Sequence, residues 1–259
     1  MVKAPYRRLV LGLGPGHVDK RMLRATVEFA RLLELEMLGV FVEDQALLGL
    51  AGLPFARELR LPDYAWQPIE AQRVAADLRA AAEQARKMFD RESTAQGIAC
   101  RFEIRRGDPA TLVCSLVEES DIIVVAEPRS AIERVTAATA RAQTAAAKSP
   151  AAVLFLPPSA HPTSGPVAVF AASAADPASV LASRIAAAAG EDSILISPPK
   201  RGISDPVALL SRALGYRHER LIILARGTAG TSDETPPLLV AERNVPVLSI
   251  EPVPPAKKR

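Results

Sequence analysis

The chain has 259 residues, of which 49% are hydrophobic and 24% charged, a composition typical of a folded protein with one large or two small domains. A net charge of +3 gives no indication of nucleic-acid binding, and no apolar run approaches the roughly 18 residues of a transmembrane helix. The two cysteines, Cys100 and Cys114, are too few for a disulfide framework and lack metal-ligand spacing.

The first 158 residues alternate strand and helix patterns, which predicts a parallel sheet covered by helices. Short apolar strands are predicted at 9–13, 38–42, 100–105, 122–126 and 152–156. Asp19 is suited to cap a first helix, and a long amphipathic helix is predicted at 69–96. The Gly-Asp-Pro sequence at 107–109 predicts a further helix, with Asp as N-cap and Pro at the first helical position.

Residues 43–67 interrupt this alternation with an apolar segment that is broken by proline. Its large apolar residues are Leu47, Leu48, Leu50, Leu53, Phe55, Tyr64 and Trp66. One interpretation is a short helix and loop that cover an exposed edge of the sheet. The other is a surface for a partner or ligand, because clustered exposed apolar residues need an explanation that isolated ones do not.

A proline-rich segment at 159–165 reads as a linker, and the pattern then restarts. Strands are predicted at 167–171, 194–196, 221–225 and 245–250, and Asp-Pro pairs at 176–177 and 205–206 begin two helices. The Asp-Pro, helix and apolar strand of 205–225 repeat those of 108–126. The second copy is shorter, since too few residues separate 196 from 205 for a long helix and a further strand.

The segment from Gly107 to Val125, a Gly-Asp-Pro turn, helix and Asp-Ile-Ile-Val-Val strand, resembles the second half of a universal stress protein domain. The resemblance implies an α/β fold of the adenine-nucleotide alpha-hydrolase-like type. It predicts two tandem open, mostly parallel sheets with helices on both faces, the second repeat being shortened.

The implied domain bounds are 1–158 and 166–252, with a linker at 159–165 and a tail at 253–259. Domains of the family commonly pair through their last strands. A tandem chain is therefore expected to form an internal pseudo-dimer, and further pairing into a homodimer is also compatible with the resemblance.

Members of the family that bind ATP use a loop written G-x-x-G-x9-G-[ST] after this strand. Laid on the sequence without a gap, its positions fall on Ala126, Arg129, Thr139 and Ala140, so every one is replaced. The family's glycines let backbone N–H groups approach phosphates closely, which side chains obstruct. An acidic residue that contacts adenine in the family is replaced here by Gly14. The resemblance thus implies a scaffold without its phosphate loop, so no cofactor is expected, and ATP is the disfavoured alternative.

Open α/β sheets bind ligands at the carboxyl ends of their strands. The candidate ligand-binding residues at that edge are Gly14, His17, Val40, Phe41, Glu127 and Arg129. No nucleophile elbow, zinc-binding helix motif or paired-carboxylate motif is present, so neither a catalytic residue nor a metal site is predicted.

Three functions remain open from the sequence. The preferred one is a non-enzymatic, cytoplasmic stress-response or regulatory protein that binds a protein partner or itself, and neither nucleic acid nor membrane. It is favoured by the replaced glycines and the apolar insertion. The second is an ATP- or AMP-binding protein with an altered loop. The third, an enzyme using His17 and Glu127, rests only on their shared edge.

Overall fold

The computed structural model describes residues 6–15, 19–60, 62, 64–127, 137–158, 164–199, 205–228 and 230–251, with the backbone alone at 60 and 137–140. Within these residues, eleven strands and eight helices form an α/β structure in which helices cover a central sheet. The predicted α/β class is confirmed.

Nine of the strands form one sheet, in the order β5-β2-β1-β6-β7-β11-β10-β8-β9. Every neighbouring pair is parallel except β7 and β11, which run antiparallel, and β3 and β4 form a separate antiparallel hairpin. The strands are β1 Arg8–Leu13, β2 Glu36–Asp44, β3 Arg57–Arg60, β4 Ala65–Pro68, β5 Cys100–Gly107, β6 Asp121–Ala126, β7 Ala152–Leu156, β8 Val167–Phe170, β9 Ser193–Ile196, β10 Leu221–Ala225 and β11 Val247–Ile250.

The helices begin largely where the capping residues predict. The helices are α1 Lys20–Leu33, α2 Gln45–Ala51, α3 Ala71–Ala95, α4 Leu112–Ser115, α5 Ala137–Ala147, α6 Pro177–Ala189, α7 Pro206–Leu214 and α8 Thr235–Arg243. Asp19, Asp176 and Asp205 each accept a hydrogen bond from a backbone N–H in the first turn of the helix that follows, and Pro occupies the first position of α6 and α7.

The helix predicted to start at Pro109 begins three residues later, although Asp108 itself makes the contacts of an N-cap. Its carboxylate accepts hydrogen bonds from Ala110 N and Thr111 Oγ1 and closes a turn, and α4 begins only at Leu112. Leu112 N also donates to the carbonyl oxygen of Asp108 at 2.9 Å, so residues 108–111 form a turn that leads into α4.

The core forms on both faces of the sheet, because side chains alternate along each strand. Leu9 and Leu11 of β1 face a layer formed by α1, α3 and α6, whereas Val10 faces the opposite side. That opposite side is covered by α4, α5, α7 and α8. Burial on both faces explains why the central strands are continuous apolar runs.

The two halves of the chain arrange their strands in the same order. Outward from the junction, the first half reads β7-β6-β1-β2-β5 and the second β11-β10-β8-β9. Each half therefore places its last strand at the junction, then the strand before it, then its first and second. The two sheets expected from the repeats are joined into one, because β7 and β11 pair their edges. Among the described residues, the second half has no counterpart of β5.

Antiparallel pairing at the junction inverts the second half relative to the first. The carboxyl ends of β1 and β6 consequently lie at one edge of the sheet, and the carboxyl ends of β8 and β10 lie at the opposite edge. Any ligand sites at the carboxyl ends of the two halves must open in opposite directions.

Candidate functional site

A crevice of about 230 Å³ opens at the carboxyl ends of β1 and β6. From β1 the chain continues to β2 on one side, whereas β6 lies on the other side, so the crevice occupies the point where strand order reverses. Open α/β sheets bind ligands at such points. The described residues that line it are Gly12, Leu13, Gly14, Val42, Pro109, Ala110, Val113, Cys114, Ile123, Val124, Val125, Ala126 and Ala142.

The described side chains of the crevice wall are apolar. Every lining residue in the described part of the chain is a glycine, a proline or an aliphatic residue, apart from Cys114. Burial raises the pKa of the Cys114 thiol above its usual value, which keeps it uncharged at neutral pH. The described wall therefore offers an entering molecule no charged side chain.

A close approach between α4 and β1 forms one side of the crevice. A Cβ atom at Gly12 would lie 2.9 Å from Cγ2 of Val113, so the absence of a side chain lets α4 pack directly on the strand. The turn closed by Asp108 places Pro109 and Ala110 at the same wall. The shape of the crevice thus depends on one glycine and one Asx turn.

The predicted ligand residues occupy different places. Gly14 lines the crevice. Val40 and Phe41 are fully buried in the two core layers and do not line the crevice. Because β2 continues to Asp44, a residue closer to its carboxyl end, Val42, lines the wall instead. His17 and Arg129 lie outside the described residues.

Glu127, also predicted as a ligand residue, is not among the residues of the wall. Its side chain is buried, and its two carboxylate oxygens accept hydrogen bonds of 3.2 and 3.3 Å from Nε2 of Gln143 on α5.

The corresponding edge of the second half has a much smaller cavity, of about 60 Å³. Arg226, directly after β10, lies against it and donates hydrogen bonds to the carbonyl oxygens of Ser149 and Ala151, at 3.2 Å each. These carbonyls belong to the segment before β7 of the first half. The arginine therefore ties the two halves together, and its guanidinium is occupied by these contacts.

A second surface feature is the insertion between β2 and α3. We define the insertion surface as Leu50, Leu53, Phe55, Leu59, Tyr64 and Trp66, all exposed on α2, the hairpin and their connecting loops. Leu59 and Trp66 are directly paired across β3 and β4. The hairpin was not predicted from the sequence.

The hairpin reverses the usual distribution of apolar and polar residues. Leu59 and Trp66 point outward, with 46% and 64% of their surface exposed. Glu58, on the opposite face, forms an ion pair with Arg73 of α3. A hairpin normally turns its apolar face toward the protein, so this arrangement leaves an apolar face that none of the described residues covers.

No group of three or more potential metal ligands occurs among the described residues. Of the helices in the described ranges, none is both long and apolar enough to cross a bilayer.

Comparison with known proteins supports the fold. No protein-family model and no curated protein matches the sequence. A universal stress protein from Archaeoglobus fulgidus DSM 4304 superposes with a TM-score of 0.60 at 13% identity, over 93% of this chain and 98% of the other. A protein of unknown function from Pseudomonas aeruginosa PAO1 gives 0.54 at 13% identity, over 95% and 93%. The chain therefore has the fold of universal stress proteins.

Proposed function

We propose that the chain is a tandem universal stress protein, with domains at 1–158 and 166–252 joined by 159–165 and followed by a tail at 253–259. The support is the shared order of four strands in the two halves, outward from the β7–β11 junction: last strand, the strand before it, first strand and second strand. In this proposal the junction is an internal pseudo-dimer contact, so pairing of the two domains needs no second chain.

The function that the geometry supports best is that of a non-enzymatic, cytoplasmic regulatory protein in the stress response, acting through a protein partner at the insertion surface. The observation that carries this proposal is the outward apolar face of the β3–β4 hairpin, with Phe55 75% and Tyr64 72% exposed beside it. Clustered aromatic residues are typical of the energetically important centre of protein interfaces. A second copy of the chain is the competing occupant of this surface.

Site-specific photo-crosslinking in cells of the source organism tests the proposal. Benzoylphenylalanine at position 66 should form a discrete covalent adduct with another protein, whereas the same residue at position 216 should not. Tyr216 is a matched control because it is a fully exposed aromatic residue in the second half. Substituting Phe55→Ser and Leu59→Ser should remove the adduct at 66 without altering the thermal transition.

The crosslinked products distinguish a protein partner from a second copy of the chain at the insertion surface. An adduct of twice the mass of the chain, accompanied by a dimer in sedimentation that Trp66→Ser abolishes, would identify self-association through this surface. Equal adduct patterns at 66 and 216 would contradict a specific partner surface.

Nucleotide binding is the second candidate, favoured by the position of the crevice at the reversal point of the first half. Nucleotide binding is disfavoured by the replaced loop glycines and by the apolar side chains of the described wall. Calorimetric titration with ATP and AMP should give no saturable heat. Saturable binding at micromolar concentration would make the altered loop a working nucleotide site.

A further inference from the structure

We propose that the crevice of the first half binds a small, uncharged aromatic molecule in place of a nucleotide. The proposal follows from three properties of one place in the fold: its position at the carboxyl ends of β1 and β6, its apolar wall and its volume. The insertion surface takes no part in it, so this inference stands apart from the protein partner.

The described side chains of the wall favour an uncharged ligand over a charged one. Its thirteen described residues offer no charged or hydroxyl side chain, and the Cys114 thiol is the only polar group among their side chains. A phosphate placed there would lose its hydration without gaining a hydrogen-bonding side chain from these residues.

The volume indicates the size of the molecule. Drug-sized ligands generally occupy roughly 300–1,000 Å³, and an apolar cavity of about 150 Å³ binds benzene. Scaled from the benzene case, 230 Å³ accommodates about nine non-hydrogen atoms, the size of indole.

The crevice also has an entrance and a floor. Pro109 and Ala126 are exposed and mark its opening, whereas Ile123 and Val124 are buried beneath it. A flat aromatic ring can therefore enter from solvent and cover the apolar floor, which releases water from both surfaces. For a ligand of this size, a dissociation constant of about 0.1–1 mM is expected.

The first experiment uses the wall's own thiol as a reporter. In a Cys100→Ser variant, Cys114 is the only thiol of the chain, and its modification by methyl methanethiosulfonate is followed by mass spectrometry. Indole at about ten times its dissociation constant should slow the reaction roughly tenfold, because only the unoccupied protein reacts. Indole-3-carboxylate, with the same ring and one negative charge, and AMP should give no protection.

The second experiment fills the crevice. Ala142→Phe on α5 places a ring at the wall, and Thr144→Phe adds the same ring two residues later at an exposed position outside it. Saturation-transfer NMR should detect indole on the wild type and on Thr144→Phe but not on Ala142→Phe. Circular dichroism checks that both variants fold, and the thiol experiment does not depend on either.

Four results would overturn the proposal. They are the absence of indole binding in NMR together with the absence of thiol protection, equal binding of indole and indole-3-carboxylate, displacement of indole by AMP, and undiminished binding to a folded Ala142→Phe variant. The expected result has two parts. Indole protects the Cys114 thiol whereas indole-3-carboxylate and AMP do not, and indole binding in NMR is lost only in the Ala142→Phe variant.

Discussion

Arg220 of the second half donates a hydrogen bond from Nη1 to Oε1 of Glu28 in the first half, 192 positions earlier. The same guanidinium donates from Nε and Nη2 to the two oxygens of Glu191, at 2.7 and 2.9 Å. Only 12% of the Arg220 side chain is exposed. We call Arg220, Glu28 and Glu191 the Arg220 triad. Because α1 carries Glu28 and packs against α6, the triad connects the helical layers of the two halves on one face of the sheet.

We expect Arg220→Ala to lower the free energy of unfolding by about 2–3 kcal/mol, because two partly buried carboxylates lose their common partner. Urea denaturation at pH 7 measures the change. Arg79→Ala, which removes an exposed arginine of α3, should change stability by less than about 0.5 kcal/mol. Equal losses in the two variants would show that the triad does not hold the halves together.

The same triad predicts a pH dependence. The hydrogen bond from Arg220 lowers the pKa of Glu191 below its usual value. The Arg220–Glu191 pair therefore stabilises the fold above the ordinary glutamate pKa of about 4.3, and this contribution is lost as the pH falls from there through the lowered value. The stability difference between wild type and Arg220→Ala should be constant from pH 7 to about 5 and shrink below about 4.3. A difference that grows in acid would contradict this assignment.

Much of this architecture could be predicted from local sequence, because caps and apolar runs act locally. The bounds of β7 and β10 and the Asp-Pro starts of α6 and α7 agree with prediction residue by residue. The β3–β4 hairpin was missed, since Leu59 and Trp66 place apolar side chains outward and so break the pattern that marks a strand against a core.

The site was less predictable, because its wall depends on packing between distant segments. Gly14 was predicted from its place after β1 and lines the crevice. Val40 and Phe41 were predicted at the end of a strand that in fact continues to Asp44 through pairing with β5. Val113 reaches the crevice only because Gly12 lacks a side chain, a contact that no local pattern encodes.

The second prediction on an ion pair concerns Arg243 and the buried Glu219. Arg243 of α8 donates from Nη2 to Oε1 of Glu219 at 2.7 Å, and Glu219 is fully buried. We expect Arg243→Met to destabilise the protein by about 3–5 kcal/mol, because it leaves a buried carboxylate without its counter-charge. The double variant with Glu219→Met should recover part of this loss, since the buried charge is then removed. Thermal and urea unfolding of both variants measure the effect, and a double variant less stable than Arg243→Met would contradict it.

Tyr6 should report on the packing of the segment before β1. Burial raises the pKa of Tyr6 to about 12, with opposing smaller effects from Arg226, which lowers it, and Glu251, which raises it. Folding favours the protonated phenol, so its contribution to stability is complete below the ordinary value of about 10 and is lost as the pH rises toward the folded value. Ultraviolet titration should show a tyrosinate step near pH 12 that is missing in Tyr6→Phe. A step near pH 10 that Tyr6→Phe removes would show that the ring is solvated.

The start of the second half depends on the backbone of Gly165. Its φ of +129° lies in a region that side chains rarely adopt, and a Cβ atom there would lie 2.0 Å from the carbonyl oxygen of His218. Its N–H also donates to Oε1 of Glu191 at 2.8 Å, which links this turn to the Arg220 triad. Gly165→Ala must therefore displace either the turn or the segment before β10, and both movements disturb contacts between the halves.

We expect Gly165→Ala to lower the free energy of unfolding by about 2–4 kcal/mol, measured by urea denaturation. Gly14→Ala is the matched control, because a Cβ atom at Gly14 meets no atom of the described residues within 4 Å and its φ is not positive. That variant should stay within about 0.5 kcal/mol of the wild type. If Arg220→Ala is made first, Gly165→Ala should cost less than in the wild type, because both substitutions disrupt the same Glu191 contacts and their effects are not additive. Strict additivity of the two losses would place the strain at Gly165 outside the triad.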